Sequence, residues 1–79
     1  MKVLLFARAR ELIGADAIDI DIEAAATVGE LRRTLMRRYP ALAGLLEKSA
    51  FALDDEFAGD DTTIQPNAEV ALLPPVSGG

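Results

Sequence analysis

The sequence predicts an α+β domain: a mixed sheet with one main helix packed on one face. Three observations carry this. Ile18-Asp19-Ile20-Asp21-Ile22-Glu23 alternates strictly between apolar and acidic residues, the period of a half-buried strand. Thr27-Val28-Gly29-Glu30 opens a helical stripe with both members of a capping box, Thr27 as N-cap and Glu30 folding back on its amide. Short runs rich in Val, Leu and Phe at Lys2–Arg8, Ala50–Leu53 and Glu69–Leu73 are too brief for buried helices and read as strands.

In order along the chain, Lys2–Arg8 is a buried strand ending in charge, and Ala9–Ile13 is a turn of helix closed by Gly14. The next strand puts Ile18, Ile20 and Ile22 toward the core and Asp19, Asp21 and Glu23 toward water. The short connection between these strands predicts an antiparallel pair, joined loosely or by a helix. The main helix then runs to about Tyr39, where Pro40 stops it. Val28, Leu31, Leu35 and Tyr39 form its apolar stripe, while Arg32, Arg33, Arg37 and Arg38 lie mostly away from it. Ala41–Lys48 predicts a short second helix through Leu42, Leu45 and Leu46. After the strand Ala50–Leu53 comes an acidic run, Asp54–Asp61, then a turn of helix at Thr62–Ile64 and turn chemistry at Gln65-Pro66-Asn67-Ala68. Glu69–Leu73 is the last strand, ended by Pro74-Pro75. A helix between strands two and three, with the last strand returning to the sheet centre, is the β-grasp arrangement. The compact domain is expected over residues 1–73 and an extended tail over 74–79.

Composition restricts the chemistry. Seventy-nine residues set one domain near the lower end of what folds alone, burying roughly 60% of the unfolded chain's surface. At 51% apolar and 27% charged, the chain is too apolar for disorder. It contains no Cys and no His, so disulfides, thiolate nucleophiles, Cys/His zinc sites and His-based triads are excluded. Without disulfides the core alone must hold the fold, which is compatible with the cytoplasm. The apolar run Val3–Ala7 is too short for a signal-peptide core, and no stretch approaches the roughly 20 residues of a membrane span. A net charge of −5 with four aromatics gives no basic groove or stacking platform for nucleic acid. These side chains make a poor enzyme.

The acids offer little more. Asp19 and Asp21 share a strand face, which alternation alone explains. An EF-hand register starting at Asp54 puts Gly59 at the sixth position, but Ala58 at the fifth and Gln65 where a bidentate Glu belongs, so no metal site is expected. The helix arginines are a grip for an acidic partner or, more simply, a solvated face. Phe57, inside the acidic run, is either folded inward or part of an exposed apolar contact.

The carboxyl end stands apart. Pro74-Pro75 stops pairing and stiffens the exit, and the six residues to Gly79 reach roughly 20 Å at full extension. Gly78-Gly79 is the narrowest backbone available and permits close approach by another protein's active site. Such a thread delivers the terminal carboxylate. Converted by a partner to an acyl-adenylate, that group becomes an electrophile for sulfur or nitrogen, with no His or Cys needed on the carrier. The alternative is an inert, frayed end.

Here the sequence resembles the small subunits of molybdopterin synthase, the MoaD family of ubiquitin-like sulfur carriers. The resemblance rests on Phe6-Ala7-Arg8-Ala9-Arg10-Glu11-Leu12 with Gly14, on Thr27-Val28 with Leu31, and above all on Glu69 to Gly79 with its Pro-Pro-Val-Ser-Gly-Gly end. It implies a β-grasp fold and a non-catalytic sulfur-donor subunit. An ATP-dependent, E1-like activating enzyme would adenylate Gly79, and sulfur transfer would leave a C-terminal thiocarboxylate. No cofactor is bound permanently; ATP is used by the activating enzyme. The tail, Pro74, Pro75, Val76, Ser77, Gly78 and Gly79, would then thread into the large catalytic subunit of a heterotetrameric synthase. There two loaded carriers in turn would supply the dithiolene sulfurs of molybdopterin. Phe6, Phe57 and Leu73 match family positions forming an apolar patch for both partners, and Arg10 matches one near that interface. The family's third strand usually carries Val-Asn where this chain has Leu53-Asp54, and its Gly-Asp turn appears as Asn67-Ala68, where Asn tolerates positive φ. The competing readings are a carrier for another sulfur product such as thiamine thiazole, a protein modifier joined through Gly79 to lysines, and a non-covalent interaction domain.

Overall fold

In a computed structural model, which describes residues 1–22 and 26–74, the chain runs β1 (Lys2–Leu5), α1 (Ala7–Ile13), β2 (Ala17–Asp19), α2 (Val28–Arg38), a 3-10 turn (Pro40–Leu42), α3 (Ala43–Leu46), β3 (Ala50–Leu53), β4 (Glu56–Ala58) and β5 (Val70–Leu73). The strands form one sheet in the order β2-β1-β5-β3-β4. Only β1 and β5 are parallel; the other three pairs are antiparallel. The last strand therefore lies at the sheet centre, as the β-grasp expectation requires.

Register explains the core. Ile18, Val3, Val70 and Leu53 face one another across four strands, and Leu5, Leu72 and Phe51 do so across three. Because side chains alternate, these rows share one face. Against it α2 presents the expected stripe, with Val28, Leu31 and Leu35 fully buried and Tyr39 half-buried. Leu42 and Leu46 complete the cluster. Each such buried side chain stabilises the fold by about 1.5–3 kcal/mol.

The helix ends follow the sequence closely. Glu30 N–H donates to Thr27 Oγ1 at 3.2 Å, and Thr27 N–H donates to Glu30 Oε1 at 3.1 Å, the reciprocal capping box. Gly14 closes α1 in the left-handed region at φ 79, its N–H donating to the Arg10 carbonyl. Pro40 ends α2 and opens the 3-10 turn, so the expected second helix arrives as two joined pieces.

Several expectations are corrected. β1 stops at Leu5 rather than Arg8, because Phe6 becomes the extended N-cap of α1 and Ala7 takes φ 49. This longer α1 buries Ala9. β2 is offset and shorter, spanning Ala17–Asp19; its ladder adds one rung between Ile20 and Met1, and Asp21 and Ile22 lie outside the strand. Glu23, the third expected outward carboxylate, lies outside the described residues. Thr62–Ile64 is not helical. Thr63 bridges Thr27, and the Asp60 and Thr62 carbonyls accept the N–H groups of Gly29 and Val28, so this segment caps α2 instead of coiling on itself. Gly29 eases this approach: a Cβ would stand 3.3 Å from the Asp60 backbone oxygen, so a larger residue would need the loop to give by a few tenths of an ångström. The Gln65–Ala68 turn forms, closed by a 3.1 Å bond from Ala68 N–H to the Gln65 carbonyl. Among the described residues, however, the non-glycine positive φ angles fall at Ala7, Asp54 and Asp55, not at Asn67.

Arg32 leaves the solvated face assigned to it. Its side chain is only 17% exposed, and its guanidinium donates to the Leu46 and Ser49 carbonyls and to Asp60 Oδ1, the last at 2.9 Å. It also lies 5.1 Å from the centroid of the Phe51 ring. One side chain thus ties α2 to the end of α3, the start of β3 and the loop that caps α2.

Replacing Arg32 with Ala strands two carbonyls and should cost about 2–3 kcal/mol in denaturant unfolding; a loss below about 0.5 kcal/mol would return it to the solvated class. Thr27→Ala, which removes one half of the capping box, should cost about 1 kcal/mol in the same measurement.

Candidate functional site

The position of β5 decides where the carboxyl end leaves the domain. Between β1 and β3, it delivers the chain at Leu73 to an exposed Pro74, which has no N–H to continue a ladder. Pro75, Val76, Ser77, Gly78 and Gly79 lie outside the described residues.

Beside that exit, among the described residues, the outer face of the sheet is partly open. Ala17, Leu4, Ala71, Ala52 and Phe57 are successive cross-strand partners, one row spanning all five strands opposite the helical face. Two alanines in the middle make a low floor between the larger side chains of Leu4 and Phe57. Phe6 and Leu73 follow β1 and end β5 just beyond this row. Together Leu4, Phe6, Ala52, Phe57, Ala71 and Leu73 line one concavity of about 280 Å³, rimmed by the carboxylate residues Asp55 and Glu69. The structure therefore gathers three of the residues singled out from sequence, Phe6, Phe57 and Leu73. Phe57 is 75% exposed and Phe6 44%, so of the two readings of Phe57 the inward one fails: the side chain is on the surface.

Local geometry explains how an acidic run presents an aromatic. β3 and β4 form a hairpin with Leu53 opposite Glu56. Its two loop residues, Asp54 and Asp55, have φ of 50 and 69, the sign that tight two-residue hairpin loops require. Asp and Asn adopt this region more readily than most residues. The Asp54 N–H donates to the Glu69 carbonyl and Asp54 Oδ1 accepts from the Glu69 N–H, both at 2.9 Å. β4, a surface strand where the flanking charge around Phe57 suggests either a surface strand or a turn, is the edge strand that carries this side chain.

Arg10 is not brought to this concavity. Its Nε forms a 2.8 Å ion pair with Asp16, both side chains exposed, beside a separate depression lined by Gly14 and Ala15. Among the described residues no His, Cys, Asp and Glu side chains are grouped to hold a metal ion, and no helix is long and apolar enough to cross a membrane. The arrangement sets an exposed apolar concavity next to a chain exit.

Leu4, Ala52, Ala71, Asp55 and Glu69 belong to the face and were missed. Their signal was faint but present: Val3-Leu4-Leu5 is apolar on both strand faces, which a strand with one solvated face does not need.

The sequence model of the ThiS family matches residues 3–79. A protein of Dictyostelium discoideum named molybdopterin synthase sulfur carrier subunit is 42% identical, the match covering 99% of this chain and 94% of that protein. Among solved structures, the small archaeal modifier protein 1 of Haloferax volcanii superimposes with a TM-score of 0.81 at 28% identity, covering 95% of each chain. A chain of the complex of subunits 1 and 2 of the molybdopterin-converting factor of Helicobacter pylori aligns with a TM-score of 0.65 at 28% identity, over 99% of this chain and 96% of that one.

Exposure separates two phenylalanines on neighbouring strands. Phe51→Ala, at a fully buried site, should cost about 3–5 kcal/mol in denaturant unfolding. Phe57→Ala should change stability by no more than about 0.5 kcal/mol. Comparable losses for the two would place Phe57 in the core.

Proposed function

The chain belongs to the ThiS family and groups there with the sulfur-carrier subunits of molybdopterin synthase, and from that membership we propose that it is the sulfur-carrier subunit of a molybdopterin synthase. The observation that carries this reading is the juxtaposition at the end of β5: an exposed apolar concavity lies beside the point where the Gly-Gly tail departs. A carrier needs both, a face that partners recognise and a narrow end that enters their active sites.

The chemistry is that of a carboxylate made reactive. The Gly79 carboxylate oxygen attacks the α-phosphorus of ATP on an E1-like activating enzyme, and pyrophosphate leaves. Hydrosulfide from the sulfur donor then attacks the acyl carbon, AMP departs with the bonding electrons, and loss of a proton leaves a thiocarboxylate. Its sulfur is donated within the large catalytic subunit for the dithiolene of molybdopterin. This chain acts as reagent rather than catalyst, in keeping with side chains that include no His or Cys. The face formed by Phe6, Phe57 and Leu73 docks the activating enzyme and the large subunit in turn, and Pro74 to Gly78 thread the tail. The Helicobacter pylori two-subunit complex supports a large-subunit partner; the assembly is a heterotetramer of two large and two small subunits. A cycle that consumes ATP belongs in the cytoplasm.

One observation favours a second reading. The likeness to an archaeal modifier protein supports conjugation of Gly79 to lysines of other proteins. The same activated carboxyl serves both, and the nucleophile decides between them.

Intact-mass measurement after incubation with the activating enzyme, ATP and a sulfur donor separates the readings. A carrier gains one sulfur in place of oxygen, whereas a modifier appears as adducts on target lysines. No change under conditions that load a known carrier would sink both. Deletion of Gly79 should abolish loading without altering the circular dichroism spectrum, and persistent loading would refute the terminal-carboxylate mechanism.

A further inference from the structure

Asp54 occupies an unusual place in the sheet. The antiparallel pairing of β3 with β5 has Leu53 opposite Val70, so the next rung outward joins Asp54 to Glu69. Half of that rung is ordinary: the Asp54 N–H donates to the Glu69 carbonyl at 2.9 Å. The other half is not. The Glu69 N–H is accepted by Asp54 Oδ1, at 2.9 Å, and not by a backbone carbonyl. Asp54 has already entered the left-handed region, φ 50, to open the hairpin. Its carboxylate therefore supplies the acceptor that a strand backbone would supply, and the ladder continues one rung into a residue that is no longer a strand.

That rung joins the two elements that face each other across the docking concavity. The hairpin contributes Phe57 and Asp55; the β5 side contributes Glu69, Ala71 and Leu73. β4 is a three-residue edge strand paired only with β3, so the Asp54 rung is a direct tie from the hairpin loop to the segment leading into β5. We propose that Asp54 is a positioning residue for partner docking: by bonding Glu69 through its side chain, it holds the loop that aims Phe57 at a fixed distance from Leu73 and the tail exit. The proposal rests on the reading of this concavity as the partner face. It acts through Phe57, and the free energy it holds back is that of ordering the hairpin when a partner binds.

Three variants isolate the bond. Asp54→Asn keeps an Oδ1 acceptor and tolerance of the left-handed region while removing the charge. Asp54→Gly keeps the turn without strain and removes the acceptor. Phe57→Ala removes the side chain being positioned. Binding of each to the purified large subunit of molybdopterin synthase from the same organism is measured by surface plasmon resonance, with hydrogen exchange of the Glu69 amide followed in the free protein. Asp54→Gly should weaken binding about tenfold, mainly through faster dissociation, and speed Glu69 exchange; Asp54→Asn should restore both to near the native values. Combined with Phe57→Ala, Asp54→Gly should add little further loss, since the two act on one contact. Native-like binding of Asp54→Gly alongside weakened binding of Phe57→Ala overturns the positioning role and leaves the docking face standing. Equal losses in Asp54→Asn and Asp54→Gly also overturn it, by assigning the effect to charge. If Phe57→Ala binds normally, the docking face itself is wrong and the proposal falls with it.

Discussion

β1 and β5 run side by side in the same direction, and from them Val3, Leu5, Val70 and Leu72 reach into the core. Parallel neighbours cannot be joined by a tight turn, so the rest of the domain has to be the connection between them. That requirement explains much of the architecture. α1 and β2 return the chain to the start of the sheet, α2 crosses the inner face, and β3 with β4 lands on the far side of β5. The same pairing puts Phe6 and Leu73 at one end of adjacent strands, and it carries the end of β5 away from the start of β1. The apolar concavity and the chain's exit from the sheet coincide because the central pair ends there.

Much of this was legible in the sequence, for physical reasons that differ by element. The Thr27–Glu30 box, Gly14 and Pro40 are local signals, and each settles a helix end by itself, whereas the alternation from Ile18 to Ile22 places a strand without fixing its bounds. What failed was non-local. Arg32 sits among other arginines at a helical spacing that reads as solvated, and only the arrival of Leu46, Ser49 and Asp60 from elsewhere in the chain draws it inward. Thr62–Ile64 is short and polar enough for a helical turn, yet its neighbouring carbonyls are claimed by the first turn of α2. β4 reads as either a surface strand or a turn because carboxylates surround it, and an edge strand with both faces partly in water needs no alternation.

The concavity was legible in a weaker sense. Phe57 stood out as an aromatic among acids, but its side of the sheet was open until the hairpin register was known. Leu4, Ala71 and Ala52 are unremarkable alone and become a surface only as cross-strand partners. The acidic loop residues then take on two separate tasks: positive φ at Asp54 and Asp55 turns the chain, and Asp55 with Glu69 charges the rim. On the proposed reading, such a charged rim would govern the rate and choice of encounter, and the apolar centre how long a partner stays.

The brevity of β4 bears on the protein while it is alone. An unpaired edge strand beside an exposed phenylalanine is the combination that invites one sheet to stack onto another. Here the edge is three residues long, opens from a left-handed turn and begins with Glu56, on a chain whose net charge is −5. Two copies approaching edge to edge would bring like charges together before any backbone bond could form. The segment that displays Phe57 thus also resists edge-to-edge association, so an exposed aromatic and the guard against self-pairing are built into the same three residues.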